Sequence, residues 1–315
     1  MDVRKLRYFA QIVEAQSMSA AAKRLHVAQP ALSKAIRSLE DDLGTLLLQR
    51  SPHGIAMTEA GERLYEHCQI IFGQIDRARH AVRSSVAKPS GQVAIGMPYS
   101  VMTVLGLPLL KTVSQAYPGL CMELVQDHSH LLTSRLRSGR LDLAVMAAPR
   151  SGAGLVSSAL MLEDLLFVEK SAGARPVSSP ISFPEAAGRA FILPGLSNGL
   201  RAAAEAYFRT RSLRLTIAHE VDGIALITRC VEAGLGVTLM PGGCIACDPA
   251  APHLDVRPLE GGCVRTIVLC RADTIAPTSA ALQTADLLRS IATDLAASGA
   301  WPGRRLVDVE FATFR

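Results

Sequence analysis

The chain has 315 residues, 49% of them hydrophobic and 19% charged, the composition of a globular protein of roughly two to three domains. Met1-Asp2-Val3-Arg4-Lys5 leads into a polar-punctuated helix rather than an export signal, and no stretch approaches the ~20 apolar residues of a membrane span. A cytoplasmic protein is expected, and the net charge of +5 is concentrated at its start: residues 1–88 hold 13 Lys/Arg against 9 Asp/Glu, the remainder 20 against 19.

Leu6, Phe9, Ala10 and Val13 recur at helical spacing across residues 4–15. Ser17-Met18-Ser19 interrupts them, and Ser19 is placed to cap a second helix from Ala20 to Leu25. After the turn His26-Val27-Ala28, a third helix starts at Gln29 with Pro30 in its first turn, turns Leu32, Ile36, Leu39 and Leu43 inward, and stops at Gly44. Leu46–Leu48 and Ile55–Met57 flank Ser51-Pro52-His53-Gly54 as the two strands of a wing. Thr58 then caps a long helix to about Ala87. Within it Leu64, Cys68, Ile71, Ile75, Ala78 and Val82 step by 4, 3, 4, 3, 4, the a/d seam of a coiled coil. Its other faces are polar, which favours a dimer seam; a helix packed on its own domain is the alternative.

Lys88-Pro89-Ser90-Gly91 breaks the pattern. Strands are then expected at 92–96, 122–125 and 142–146, with helices at 104–116 and 131–138 between them. Such alternation implies a mostly parallel sheet flanked by helices. It recurs in strands at 165–169, 190–193, 217–221, 237–240 and 266–270 and in helices at 200–211, 224–233 and 279–297. Residues 301–315 have no assignment.

The third helix has the form of a DNA-recognition helix. Gln29, Ser33 and Arg37 share the face opposite Leu32, Ile36 and Leu39, with Pro30 and Lys34 beside them. Gln pairs with adenine, Ser serves as donor or acceptor, and Lys or Arg bonds guanine or phosphate. Arg50 and His53 of the wing reach phosphate or the minor groove, although Arg50 suits a structural ion pair equally well. Ser17 and Ser19 precede a helix whose amino end can hold a phosphate. In the second half, ligands of α/β sheets bind outside the carboxyl ends of strands. Met97-Pro98-Tyr99-Ser100, Asp127-His128-Ser129-His130 and Pro194-Gly195-Leu196-Ser197-Asn198-Gly199 occupy such places. Helix capping alone also explains Ser and Asn there.

Other chemistry is poorly supported. The seven cysteines are odd in number and irregularly spaced, so reduced thiols are expected. Cys244-x-x-Cys247, with His253 and Cys263, lacks the second pair of a structural zinc site. Asp127, His128 and Ser129 are sequence neighbours, whereas triad residues meet from separate segments. Neither a metal, a cofactor nor catalysis is expected.

Residues 21–33, Ala-Ala-Lys-Arg-Leu-His-Val-Ala-Gln-Pro-Ala-Leu-Ser, together with Ile36, Leu39, Glu40, Leu43-Gly44, Arg50, Gly54 and Thr58-Glu59-Ala60-Gly61, closely resemble the amino-terminal signature of LysR-type transcriptional regulators. Leu136-x-x-Gly139-x-Leu141-Asp142-Leu143-Ala144 and Gly234-x-Gly236-x-x-x-x-Pro241 resemble the effector domain of that family. Gly91-Gln92-Val93-x-Ile95-Gly96 with Pro108-Leu109-Leu110 is similar to its nitrogen-assimilation-control subgroup. Two positions depart from the pattern: Leu48 replaces an aromatic, and Ala28 replaces a capping Ser.

The resemblance implies an α/β protein with an N-terminal winged helix-turn-helix (1–58), a linker and dimerisation helix with a hinge (59–90) and a two-lobed, periplasmic-binding-protein-like effector domain (91–297). Lobe I would comprise about 91–161 and 267–297, lobe II about 162–266, with a tail at 298–315. It further implies promoter DNA, RNA polymerase and a second or fourth copy of the chain as partners, usually in activation. A small effector, an anion by the character of the loops, would touch Ser100, Asp127, Ser129, Ser197 and Asn198. A regulator needing no small molecule is the alternative; a solute-binding protein would need an export signal.

Overall fold

The computed structural model describes the chain apart from residues 52–53, 84–88, 150–153, 174–178, 197, 247 and 306–315; the side chains of 50–51, 76–77, 79–83, 246 and 303–305 also lie outside it. Two compact units result, residues 1–79 and 80–315.

In the first unit, α1 (Val3–Ala15) is capped by Asp2, whose carboxylate accepts from the Lys5 amide, and ends at Gln16 with a left-handed φ of 49°. The second helix, α2 (Met18–Arg24), starts two residues earlier than expected. Its cap is Ser17, not Ser19: Ser17 is extended, and its hydroxyl accepts from the Ala20 amide at 3.3 Å. Ser19 already lies inside the helix. The third helix, α3 (Gln29–Leu43), has no side-chain cap at Ala28 and ends on Gly44 at φ 67°. Strands β1 (Leu48–Ser51) and β2 (Gly54–Met57) form the antiparallel wing. The wing is tied to the α1–α2 turn, because the Ile55 amide donates to the Gln16 carbonyl. A methyl at Gly54 would lie 2.6 Å from that same oxygen, at a φ of 121°, so the position requires glycine. Thr58 caps α4 (Glu59–Arg83) by accepting from the Gly61 amide.

Leu6, Phe9, Ile12, Leu32, Ile36, Leu39 and Leu47 build this unit's core. Cys68 is completely buried in it, and Leu64 and Ile71 pack against it. Cys68 is therefore used inside its own unit, which corrects its reading as a dimer contact; Leu64 and Ile71 pack against the same core but stay half-buried. Ile75 is half-buried and Ala78 exposed; the side chain of Val82 is outside the described residues.

The second unit opens with β3 (Gly91–Met97), α5 (Tyr99–Ala116), β4 (Leu120–Gln126), α6 (Ser129–Arg137) and β5 (Leu143–Ala147). Strand β3 runs parallel to both β4 and β5. Next comes β6 (Leu155–Lys170), of which only 165–169 was expected. The smaller elements α7 (Phe183–Ala187), β7 (Ala190–Leu193), α8 (Gly199–Arg209), β8 (Thr216–Glu220) and α9 (Ile224–Glu232) follow. The chain continues through β9 (Thr238–Pro241), α10 (Gly242–Ala246), β10 (Leu254–Arg257), β11 (Val264–Ala272), α11 (Ser279–Ala297) and β12 (Gly303–Arg305).

Strand β6 explains the two lobes. Its residues 155–164 pair with β11, which also pairs with β5, in the first lobe. Its residues 165–170 pair with β9 and β10 in the second. Ile95, Met97, Leu105, Leu109, Val145, Leu269 and Leu288 fill one side of the first sheet, and Leu132, Leu136, Met146 and Cys270 the other. The second lobe packs Phe167, Phe191 and Phe208 edge to face and separately clusters Ile192, Ile227 and Met240. These layers form a mixed α/β, periplasmic-binding-protein-like unit.

Candidate nucleic-acid interface and effector cleft

On the first unit, α3 turns Leu32, Ile36 and Leu39 into the core and leaves Gln29, Pro30, Lys34 and Arg37 exposed, with Ser33 half-buried. The polar side chains are organised rather than loose. The Ser19 hydroxyl bonds Gln29 Oε1 at 3.2 Å, joining α2 to α3, and Arg37 donates to Ser33 Oγ at 3.4 Å. Lys23 and Arg24 at the end of α2 are also exposed. Ser17 is held as a helix cap. The Arg50 backbone pairs with Ile55 in the wing; its side chain and His53 lie outside the described residues. This surface offers amide, hydroxyl and cationic groups along one helix face, the set needed to meet base edges and phosphates.

In the second unit the amino ends of α5 and α6 follow the carboxyl ends of β3 and β4, and that of α8 follows β7. Ser129 and the start of α8 come together across the lobes: a methyl on Gly199 would lie 3.6 Å from Ala147 Cβ and 3.9 Å from Ser129 Oγ. Asn198 caps α8, its Oδ1 accepting from the Leu200 amide at 2.9 Å. Asp222, from the β8–α9 loop, accepts from the Gly195 amide and steadies the same loop. Asp127 bonds the His128 amide and pairs with Arg135, so its charge is already matched within α6. Ser197 is outside the described residues.

Ser100 departs from the expected open hydroxyl. It is 4% exposed, and its Oγ accepts from Arg265 Nη2 at 2.8 Å. Arg265 in turn bonds Glu163, its cross-strand neighbour, and Glu163 also accepts from Trp301 Nε1 at 2.6 Å. Sequence reading missed Glu163, Arg265 and Trp301. The available signal was charge inside two otherwise apolar or small-residue stretches, Glu163 and Asp164 within 160–168 and Arg265 within 263–270. Each such charge by itself reads as a solvent-facing position.

Gly195-Leu196-Ser197-Asn198-Gly199 has the G-x-S-x-G spelling of a hydrolase nucleophile elbow. An elbow sets its Ser on a sharp turn between strand and helix. Here β7 ends at Leu193 and α8 starts at Gly199, a longer connection that ends in the Asn198 cap. Among the cysteines, burial pushes the thiol of Cys68 up to about 11 and those of Cys263 and Cys270 up to about 12. Cys244 is buried and donates to the Ser100 carbonyl, and Cys247 lies outside the described residues.

A winged helix-turn-helix followed in the same chain by a two-lobed α/β unit, with loops gathered at strand ends, defines a one-component transcription regulator. The family models agree: "Bacterial regulatory helix-turn-helix protein, lysR family" matches residues 3–62, and "LysR substrate binding domain" matches residues 87–292. The chain belongs to the LysR family of transcriptional regulators. It is 34% identical over 243 residues to the nitrogen assimilation regulatory protein nac of Klebsiella aerogenes, spanning 76% of this chain and 78% of that one. It is 33% identical over the same length to nac of Escherichia coli K12, in keeping with the subgroup resemblance. Full-length CbnR, solved in complex with its target DNA, shares the fold with a TM-score of 0.71 at 21% identity, covering 92% of this chain and 100% of that one. Among the described residues, no helix is long and apolar enough to cross a membrane.

Proposed function

We propose that the protein binds promoter DNA in the cytoplasm as a dimer or tetramer and activates transcription through RNA polymerase, under control of a small anion held between the lobes. The division of labour follows the chain: residues 1–58 read DNA, 59–90 link and pair the copies, and 91–297 sense. The row Gln29, Pro30, Lys34 and Arg37, exposed, with the half-buried Ser33, on the face opposite Leu32, Ile36 and Leu39 carries the DNA reading. The DNA complex of CbnR, whose fold this chain shares, supports the same reading; the test is direct titration of a labelled upstream fragment, with unrelated DNA as competitor. Saturation that resists the competitor supports it, and equal affinity for both DNAs refutes it.

The anion reading rests on the first residues of α6 and α8, Ser129 and Gly199, lying close together. A second reading, a regulator that needs no small molecule, is favoured by a different observation. The Ser100 hydroxyl and the Asp127 carboxylate already have protein partners, Arg265 and Arg135. The two readings separate in a thermal-shift screen of small carboxylates, because a ligand that binds only the folded state raises the melting temperature.

A further inference from the structure

We propose that the segment Trp301–Arg305 is a strap that fixes the first turn of α5 through a buried relay of four side chains, Trp301, Glu163, Arg265 and Ser100. Trp301 is the chain's only tryptophan and is fully buried. Its Nε1–H donates to Glu163 Oε1 at 2.6 Å, and Arg265 Nε donates to the other carboxylate oxygen. Arg265 Nη2 then donates to Ser100 Oγ at 2.8 Å, in the first turn of α5. Glu163 has no solvent exposure at all. A carboxylate in that position is tolerable only while its partners stay in place, so it binds the strap, strand β11 and α5 to one geometry.

The surrounding backbone is shaped to the same end. Strand β12 pairs with Met161–Glu163 of β6, and the Asp164 amide donates to the Pro302 carbonyl. A methyl on Gly242 would come within 2.8 Å of Pro302, and one on Gly243 within 2.5 Å of Val104 and 3.3 Å of Trp301. Two consecutive glycines thus let α10 of the second lobe close onto α5 and the strap. Cys244 of that helix bonds the Ser100 carbonyl. Glu163 and Arg265 face each other on β6 and β11, next to Leu165, where β6 passes from one lobe to the other. A change of angle between the lobes therefore bears on the relay, and the relay bears on the amino end of α5. Trp301 and Arg265 are positioning residues: they act on the cleft through Ser100. The regulatory consequence rests on the reading of that cleft as an effector site, whereas the coupling itself does not.

Hydrogen exchange on the full-length protein tests the coupling without any ligand. Trp301→Phe keeps an aromatic ring and removes the N–H. Exchange at the Val101 and Met102 amides, which bond the Pro98 carbonyl, should then speed up by roughly tenfold, within the range for directly networked residues, while residues 183–187 stay unchanged. Acceleration confined to residues 300–305 overturns the proposal. Should Trp301→Phe fail to fold, Ser100→Ala is read in the opposite direction, through the emission of the single indole. A changed emission maximum or lifetime supports the relay, and wild-type emission overturns it. A carboxylate screen without any thermal shift would remove the anion reading and leave this exchange result standing.

Discussion

On the proposed reading, individual side chains on α3 set what DNA this protein can read. Gln29 and Ser33 are each held by a neighbour, Ser19 and Arg37, so both are offered in restricted orientations. Replacing either with Ala should weaken specific operator binding by about 1–3 kcal/mol and leave nonspecific binding nearly unchanged, as measured by titration at fixed salt. Ala28 is the local weakness of the same helix, since it leaves the first turn without a side-chain acceptor. Ala28→Ser should raise the stability of the unit by about 1 kcal/mol in a thermal or denaturant melt. Thiol chemistry is also decided residue by residue. Alkylation requires the thiolate, and burial raises Cys68 to about 11 and Cys263 and Cys270 to about 12, so at pH 8 all three are protonated and enclosed. Mass mapping should find the exposed Cys121 labelled well before them.

At the scale of elements, α4 shows how far a heptad pattern goes. Its six apolar positions were legible in the sequence, but the pattern cannot say which partner covers them. Cys68 is taken by the unit's own core and Leu64 and Ile71 pack against it half-buried, while Ile75 and Ala78 do not belong to that core and are the described positions most open to pairing. Ile71→Asp would therefore damage the fold itself. Ile75→Asp with Ala78→Asp should instead yield folded monomers in sedimentation; intact dimers would show that pairing lies elsewhere. Strand β6 illustrates the reverse case. Its first half, with Ser157, Ser158, Glu163 and Asp164, has little apolar periodicity, and it is a strand because β11 pairs with it along its length.

For the whole molecule, the question is whether the two lobes answer to a ligand. Ser129 and Asn198 were expected near ligand on separate strand ends, and the fold brings Gly199, beside Asn198, close enough that an added methyl would lie 3.9 Å from the Ser129 hydroxyl. A carboxylate present at about 100 times its dissociation constant should stabilise the protein by about 2.7 kcal/mol, a rise of several degrees in melting temperature. Ser129→Ala should reduce that rise. If no small anion shifts the melt, control through the protein's abundance or a partner becomes the reading to pursue.

The winged helix-turn-helix was nearly complete in the sequence, because its signals are local. Helical spacing of Leu32, Ile36 and Leu39, proline in a first turn and glycine after a last one all act within a few residues. The alternation of strands and helices after Gly91 was legible for the same reason, and α11 and β7 fall on the expected residues. Only the tertiary structure decided that Glu163 and Arg265, 102 residues apart, neutralise each other in the core, and that Trp301 closes over them from an unassigned tail. A charge in a sequence looks solvent-facing until its partner is known, and that partner is supplied by chain topology rather than by periodicity.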